Sequence, residues 1–152
     1  MEIIDGKDYI LQVKQLIKEY TGRLNRDLSF QNLKDELSNL KEKYTAPNGK
    51  TLAAVDNDEV LGMVAYKRHS DVRCEMKRLY VIPSARGLHL GDALVKDIID
   101  CAKTAGYKEM VLDTLKPMKA AIHLYKKYGF DECEPYYCTV SYTHLFLMIF
   151  VR

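Results

Sequence analysis

The sequence contains no long apolar run, no large excess of charge of one sign and no closely spaced cysteine pairs. Its longest apolar stretch, Leu145 to Val151, is far too short to cross a bilayer. The formal net charge of +2 favours neither nucleic acid nor an anionic membrane as a partner. The four cysteines lack zinc-ribbon spacing and no histidine has a partner at ligand spacing, so we predict no metal.

Repeats, low-complexity tracts and linkers are also missing, so the 152 residues predict a single domain spanning 1–152. The contents of 47% hydrophobic and 29% charged residues are ordinary for a soluble globular protein. The first ten residues show no signal-peptide pattern. We therefore expect reduced thiols and a cytoplasmic location.

Hydrophobic periodicity predicts an α/β fold with strands and helices in one chain. The predicted strands fall at residues 1–4, 51–57, 59–69, 72–82 and 109–115, with two more between 130 and 152. The predicted helices fall at residues 8–20, 29–44, 87–104 and 117–128. Asp8 and Ser29 are the expected caps of the first two helices, and Pro117 is expected in the first turn of the last one.

The strand before residue 83 changes the face on which its apolar residues lie. Cys74 and Met76 occupy even positions, whereas Leu79 and Val81 occupy odd positions. A regular strand cannot change face without an extra residue, so the shift predicts a β-bulge near Lys77–Arg78. The alternative is an irregular pattern in which both basic residues are simply solvated.

Glycines follow that strand and open a helix in the stretch RGLHLG. Gly87 and Gly91 let backbone N–H groups approach an anion without a Cβ in the way, and Arg86 adds charge. The spacing matches neither the dinucleotide fingerprint nor the Walker loop. These residues alone leave two interpretations open, a phosphate site and a helix that merely begins with a glycine turn.

Two longer segments carry a resemblance to a known family. The stretch CEMKRLYVIPSARGLHLGDALV resembles motif A of the GNAT family of N-acetyltransferases, and MKAAIHLYKKYGF resembles that family's A-x-x-L-Y-x-x-x-G-F motif. The resemblance implies an α/β fold with a mixed, mostly antiparallel sheet of about six to seven strands and about four flanking helices. The bulged strand before the glycine turn would be splayed from its neighbour.

Two positions depart from the family pattern. His89 stands where the family has its central glycine, which puts in doubt how closely a diphosphate approaches that peptide. Met118 stands where an asparagine is often found, so a contact from that amide to the cofactor is not expected. The His89 side chain either donates to phosphate or points into solvent.

The resemblance implies transfer of an acetyl group from acetyl-CoA to a primary amine of a small molecule or peptide, without a metal. The pantetheine arm would run along Leu79, Tyr80 and Val81, where a bulge N–H could polarise the thioester carbonyl. The phosphates would rest on the backbone amides of Arg86, Gly87, Leu88, His89, Leu90 and Gly91. No nucleic acid or membrane is expected as a partner.

The resemblance also suggests candidates for acid and base catalysis. Tyr125 occupies the family's usual general-acid position, although its place on an apolar stripe is equally that of a packing tyrosine. Glu75 is the candidate general base, against the alternative of a glutamate in a salt bridge, and Asp113 is a weaker candidate. A reaction without a base also stays open. The histidines His69, His123 and His144 are expected in surface or structural roles.

Other interpretations remain at this stage. One is a non-catalytic acyl-CoA-binding sensor or regulatory module of the same fold, and another is an unrelated protein that binds nucleotide phosphates. An aromatic acceptor site could use Tyr20, Tyr44, Tyr136 and Tyr137. The apolar tail, 138–152, could be a buried strand, an exposed edge that makes a homodimer, or a terminus altered during cloning.

Overall fold

A computed structural model describes residues 1–24, 37–45, 47–136 and 144–151. The strands are β1 (Glu2–Asp5), β2 (Gly49–Asp56), β3 (Glu59–Arg68), β4 (Arg73–Val81), β5 (Glu109–Leu115), β6 (Asp131–Glu132) and β7 (His144–Phe150). The helices in these residues are α1 (Ile10–Leu24), α2 (Leu40–Lys43), α3 (Leu90–Thr104) and α4 (Lys119–Lys127). Short 3-10 turns occupy Gly6–Tyr9 and Pro83–Ala85.

The strands form one sheet in the order β1-β2-β3-β4-β5-β7-β6. Every neighbouring pair is antiparallel except β4 and β5, which run parallel because α3 crosses over between them. The predicted mixed, mostly antiparallel α/β fold is confirmed. The predicted hairpin of β2 and β3 is also present, and Asn57 and Asp58 form its turn at positive φ.

Each face of the sheet carries its own hydrophobic core. On one face α3 buries a continuous apolar stripe made of Leu90, Leu94, Val95, Ile98, Ile99 and Ala102. On the other face α1 and α2 pack through Val13, Leu16, Ile17, Leu40 and Tyr44. The helical spacing of these residues is what places them on one side of each helix.

The predicted bulge lies in β4. Ala65 of β3 pairs with Lys77 while Met63 pairs with Tyr80, so three steps along β4 face two steps along β3. Arg78, inside this interval, has a φ of 62°. Cys74 and Met76 before the bulge and Leu79 and Val81 after it all contact the α3 core, as the change of apolar phase predicted.

Parallel pairing between β4 and β5 is brief. Within the described strands it covers only Arg73 to Glu75 on β4 and Glu109 to Val111 on β5. Beyond these pairs, β5 continues in register with β7 as far as Leu115, while β4 bulges and stays with β3. The two strands therefore separate into a wedge-shaped gap, which is the splay expected from the sequence.

Several local predictions were wrong at element ends. Asp8 does not cap α1, because the chain enters the helix through the 3-10 turn at 6–9, where Asp5 accepts a hydrogen bond from Lys7 N–H. Pro117 precedes α4 instead of lying in its first turn, since that helix begins at Lys119. The predicted cap at Ser29 lies outside the described residues, as do Phe30 and Leu33 of the same predicted helix.

The apolar tail forms an interior strand. β7 lies between β5 and β6, and it pairs with β5 over seven residues from His144 to Phe150. Phe146 and Leu147 are buried. Of the alternatives considered for the tail, the interior position of β7 supports the buried strand over the exposed edge for residues 144–150. The rest of that predicted segment, 138–143, lies outside the described residues.

Candidate active site

The turn before α3 places backbone amides and a helix N-terminus at one spot. Gly87 has a φ of 89°, and a Cβ built on it would meet no atom within 4 Å, so the space above this peptide is open. Ala93 donates the first helical hydrogen bond to the His89 carbonyl, 3.2 Å away. The amides of Leu90, Gly91 and Asp92 precede that bond and form the positive end of the helix dipole, which suits a phosphate group.

His89 adopts the left-handed backbone conformation, with φ 59° and ψ 26°, as the N-cap residue of α3. This is the conformation that glycine adopts without steric cost, which explains why glycine occupies this position in the family motif. The imidazole is exposed. The substitution therefore keeps the path of the turn and adds a side chain on the solvent side.

Arg86 lies against the end of β4. Its Nε donates to the Val81 carbonyl oxygen at 3.3 Å, and its guanidinium lies 5.9 Å from the centre of the Tyr80 ring. The charge is therefore held between the glycine turn and the strand edge from Leu79 to Val81. These are the two places where the sequence predicted contacts with phosphate and pantetheine.

A second contact, not predicted from the sequence, fixes α4 to the start of α3. The Tyr128 hydroxyl and the Lys127 ammonium both bind the carboxylate of Asp92. Hydrogen bonding to Asp92 raises the pKa of Tyr128 to about 12, so its phenol remains a donor at neutral pH. An aspartate in the first turn stabilises the helix and carries the contact that positions α4.

Tyr125 projects from α4 into the α3 core. It is buried, and its ring packs edge-on against Phe130 at 5.9 Å. Burial, together with the nearby Tyr20, raises the pKa of the Tyr125 hydroxyl well above its usual value. The phenol is therefore protonated at neutral pH, as a proton donor must be.

Tyr20 of α1 packs against the core on the α1 face of the sheet, beside β4. Its ring lies 5.4 Å from that of Tyr80. Burial raises the pKa of Tyr20, Arg78 lowers it and Asp113 raises it. Tyr20 also raises the pKa of Tyr125. Arg78 at the bulge, Asp113 on β5 and Tyr125 on α4 therefore all lie within electrostatic range of Tyr20.

Glu75 lies on the α1 face of β4, opposite Cys74 and Met76, and its side chain is only 5% exposed. Its Oε2 accepts a hydrogen bond from the Tyr136 hydroxyl at 2.5 Å. Its Oε1 contacts three basic side chains, at 3.1 Å from His69 Nε2, 3.6 Å from Lys67 Nζ and 4.0 Å from Lys77 Nζ. Both carboxylate oxygens are thus engaged.

The surroundings of Glu75 keep it ionised. Burial raises the pKa of the carboxyl, but Lys77, the Tyr136 hydroxyl and the other basic neighbours outweigh burial and hold it below its usual value. A buried carboxylate needs such partners because desolvation of an unpaired charge is costly. These contacts describe the salt-bridged glutamate that the sequence left open as the alternative to a base.

Asp113 and His144 form a second polar pair on the same face. The Nδ1 of His144 lies 2.7 Å and 2.8 Å from the two oxygens of Asp113. Burial raises the pKa of the Asp113 carboxyl, and the hydrogen bond to His144 only partly offsets that effect. The sequence suggested Asp113 as a weaker base and expected a surface or structural role for His144, and the structure brings the two together.

The structure separates the four tyrosines that the sequence suggested for an acceptor site. Tyr20 and Tyr136 lie near the wedge, with the Tyr136 ring 5.1 Å from Phe146. Tyr44 is buried in the core beneath α1, and Tyr137 lies outside the described residues. His69, for which the sequence predicted a surface or structural role, contacts both Glu75 and the Tyr136 ring.

Among the described residues, no group of three or more His, Cys, Asp or Glu side chains is arranged to hold a metal ion. No helix in those residues is both long and apolar enough to span a membrane.

The strained turn at His89 leads to a prediction about stability. We expect His89→Val to lower the free energy of unfolding by about 1–2 kcal/mol, because a β-branched residue fits the left-handed region poorly. Leu88→Val is the matched control, since Leu88 is an exposed neighbour outside the positive-φ residues. Urea unfolding of both variants tests this, and equal losses would contradict it.

The ion cluster at Glu75 predicts a pH dependence. Because its folded-state pKa lies below the usual 4.5, the ionised carboxylate stabilises the fold above that pH, and the contribution disappears as the pH falls through the folded value. We expect Glu75→Gln to cost about 1–3 kcal/mol at neutral pH and less in acid. Urea unfolding at both pH values measures this, with the exposed Glu132→Gln as control; a deficit that does not shrink in acid would count against it.

Comparison with known proteins identifies the family. The model of the Acetyltransferase (GNAT) family matches residues 12–130. An uncharacterized N-acetyltransferase of Schizosaccharomyces pombe is 48% identical over 126 residues, which cover 82% of this chain and 77% of that protein.

Solved structures share the fold. An acetyltransferase of Streptococcus agalactiae superposes with a TM-score of 0.81 at 21% identity, covering 98% of this chain and 97% of that one. The Campylobacter jejuni N-acetyltransferase PseH, solved in complex with acetyl coenzyme A, gives a TM-score of 0.66 at 16% identity, covering 98% and 97%. With the family match over residues 12–130, the chain belongs to the GNAT family of acetyltransferases.

Proposed function

We propose that this protein is an acetyl-CoA-dependent N-acetyltransferase that moves an acetyl group to a primary amine of a small molecule or peptide. One observation carries the proposal: the released edge of β4 leads directly into the turn at 86–91, where helix amides and an open glycine face outward. A linear donor with a diphosphate at one end and a thioester at the other suits this continuous path. The acetyl-CoA bound by C. jejuni PseH supports the choice of donor.

Donor binding follows from the chain's own groups. The amides from Gly87 to Gly91 bind the diphosphate, and Arg86 adds charge between that turn and β4. The backbone from Leu79 to Val81 pairs with the pantetheine amides along the edge that β5 leaves. The thioester then reaches the bulge, where a backbone N–H polarises its carbonyl oxygen.

Tyr125 protonates the departing sulfur. The amine nitrogen forms the new C–N bond as the C–S bond breaks. The sulfur keeps both electrons of the C–S bond and takes a proton from the Tyr125 hydroxyl. The raised pKa of this phenol keeps the proton available until a thiolate develops nearby. No metal or redox group is needed, because the reaction balances as a direct transfer.

Glu75 enters the proposal with a narrower role than the sequence suggested. Its two oxygens are already bound by a phenol and by basic side chains, and its lowered pKa makes it a weak proton acceptor. Its contacts favour a role in holding Tyr136 and His69 on the acceptor face.

Donor binding is tested by calorimetry with acetyl-CoA, using ATP and NAD as control ligands. We expect micromolar binding of acetyl-CoA alone, and about tenfold or weaker binding in Gly87→Ala because its Cβ enters the open space above the turn. Gly106→Ala is a close match, since Gly106 also has positive φ (93°) and open space but lies at the far end of α3. Equal losses in both variants, or equal binding of ATP, would contradict the proposal.

Turnover separates an enzyme from the alternative, an acyl-CoA-binding sensor of the same fold. His89 and Met118 are the departures from the family pattern that keep the sensor in consideration. The test measures release of the CoA thiol with benzylamine, tyramine, spermidine and a lysine-containing tripeptide. Binding of acetyl-CoA without thiol release with any of these amines would favour the sensor.

The role of Tyr125 predicts a separation of kinetic parameters. We expect Tyr125→Phe to lower kcat by about 100-fold with little change in acetyl-CoA affinity, because the ring still packs on Phe130. Tyr107→Phe is the control, since Tyr107 is also a buried tyrosine but packs against Tyr66. An unchanged kcat in Tyr125→Phe across the pH range would remove the acid role.

A further inference from the structure

We propose that His144, oriented by Asp113, is the general base that removes a proton from the acceptor ammonium. The inference rests on the proposed acetyl transfer and assigns the one proton transfer to which that proposal gives no residue. His144 is the catalytic residue, because it would touch the reacting amine. Asp113 is a positioning residue, because it acts through the histidine.

The first argument is the geometry of the pair. An ionised carboxylate only accepts hydrogen bonds, so an Nδ1 that lies 2.7 Å and 2.8 Å from its two oxygens carries the proton. The near-equal distances centre the N–H between both oxygens, and the ring stacks on Phe146 at an interplanar angle of 25°. The neutral ring then has its lone pair on Nε2, directed away from Asp113, as a base requires.

The second argument is the position of the pair along the wedge. The last pairing between β4 and β5 is Glu75 with Val111, and Asp113 lies two residues farther along β5 on the same face. His144 pairs with Leu115, which lies two residues beyond Asp113 in the direction in which the strands separate. The pair therefore borders the gap at the level of the bulge, where the thioester would end.

The third argument is access. The Asp113 side chain is 15% exposed and the His144 side chain 26% exposed, so the carboxylate is covered while the imidazole keeps an open portion. Glu75 offers the opposite arrangement, with 5% exposure and both oxygens bound. Between Glu75 and His144, the histidine is the one that keeps an exposed portion for an incoming amine.

Electrostatic coupling connects the pair to the acid side of the reaction. Asp113 raises the pKa of Tyr20, and Tyr20 in turn raises that of Tyr125. One tyrosine thus lies within range of both the β5 carboxylate and the proposed acid.

The proton count balances. His144 Nε2 takes one proton from the ammonium, the freed nitrogen lone pair forms the C–N bond, and the sulfur leaves with the C–S electrons and a proton from Tyr125. A second proton leaves the nitrogen as the amide forms and restores Tyr125 through water. The third stays on the amide, and His144 returns its proton to solvent.

Other titratable and charged side chains face this pair and will shape any pH profile. They come from α1, from β4 and from the segment before β7, and they are Tyr20, Glu75, Lys77 and Tyr136. Of these, Glu75 is the competing base, so its variant belongs in the same experiment. The other side chains are phenols or a lysine, which do not titrate in the acidic limb.

The tautomer of His144 can be measured without any substrate. Long-range ¹H–¹⁵N correlation spectra at alkaline pH report which ring nitrogen carries the proton, and the His144 signals are those absent from His144→Gln. We expect Nδ1–H with a bare Nε2. A ring protonated at Nε2 would overturn the proposal, because no lone pair would then face the amine.

The kinetic test follows kcat/KM against pH with the best amine of the four-amine panel. We expect His144→Gln to lose about 100-fold at neutral pH, and less as the pH approaches the range where the amine deprotonates itself. Asp113→Asn should lower kcat with little change in acetyl-CoA affinity, because it removes the carboxylate that holds the Nδ1 proton. His123→Gln is the control, since His123 is exposed on α4.

The outcomes separate this inference from the proposed function. No turnover of any amine by the wild-type protein would overturn both. Turnover by the wild type, with His144→Gln unchanged or with the acidic limb lost only in Glu75→Gln, would overturn the inference and leave the acetyltransferase intact. Calorimetry with acetyl-CoA verifies that each variant is folded. If His144→Gln is not folded, the tautomer of His144 in the wild-type protein decides whether the inference holds.

Discussion

One extra residue in β4 determines the geometry of the site. The bulge at Arg78 shifts the strand by one position relative to β3 and lets Leu79 and Val81 return to the α3 core. β5 follows β7 instead, so the two parallel strands pair over three residues and then separate. A regular β4 would continue its ladder with β5, close the gap and leave no free edge for a donor to pair with.

The gap between β4 and β5 borders both faces of the sheet, and the titratable groups near it differ between the two faces. On the α3 face the proposed reaction uses one buried titratable group, Tyr125. Its neutral phenol needs no counter-ion. On the α1 face the buried carboxylate of Glu75 and the partly buried carboxylate of Asp113 each contact a histidine. Such carboxylates require partners, and the two pairs differ. Both oxygens of Glu75 are engaged, whereas the only hydrogen bonds of His144 among the described residues are those of Nδ1 to Asp113.

Local patterns predicted the local parts of this arrangement. The bulge was visible because side-chain alternation has a period of two, so one added residue reverses the phase. Strand β5 and the apolar face of α3 followed from periodicity alone. The pairing of Asp113 with His144 was not predictable, because their contact depends on the register between β5 and β7, and 31 residues separate them. The predictions that Asp8 caps α1 and that Pro117 lies in the first turn of α4 were wrong for a related reason. Turns that precede each helix decide where the helix begins.

Backbone conformation, more than residue identity, explains the departure at His89. Among the described residues, four that are not glycine have positive φ; Asn57 and Asp58 form the hairpin turn, and Arg78 and His89 border the proposed donor path. Such conformations cost energy and persist where the surrounding structure imposes them. Arg78 is imposed by the bulge and His89 by the turn into α3, so both mark places where the path of the chain matters more than local stability. The family's glycine at this position provides a left-handed φ. A histidine that adopts the same φ preserves the arrangement of backbone amides that a diphosphate needs.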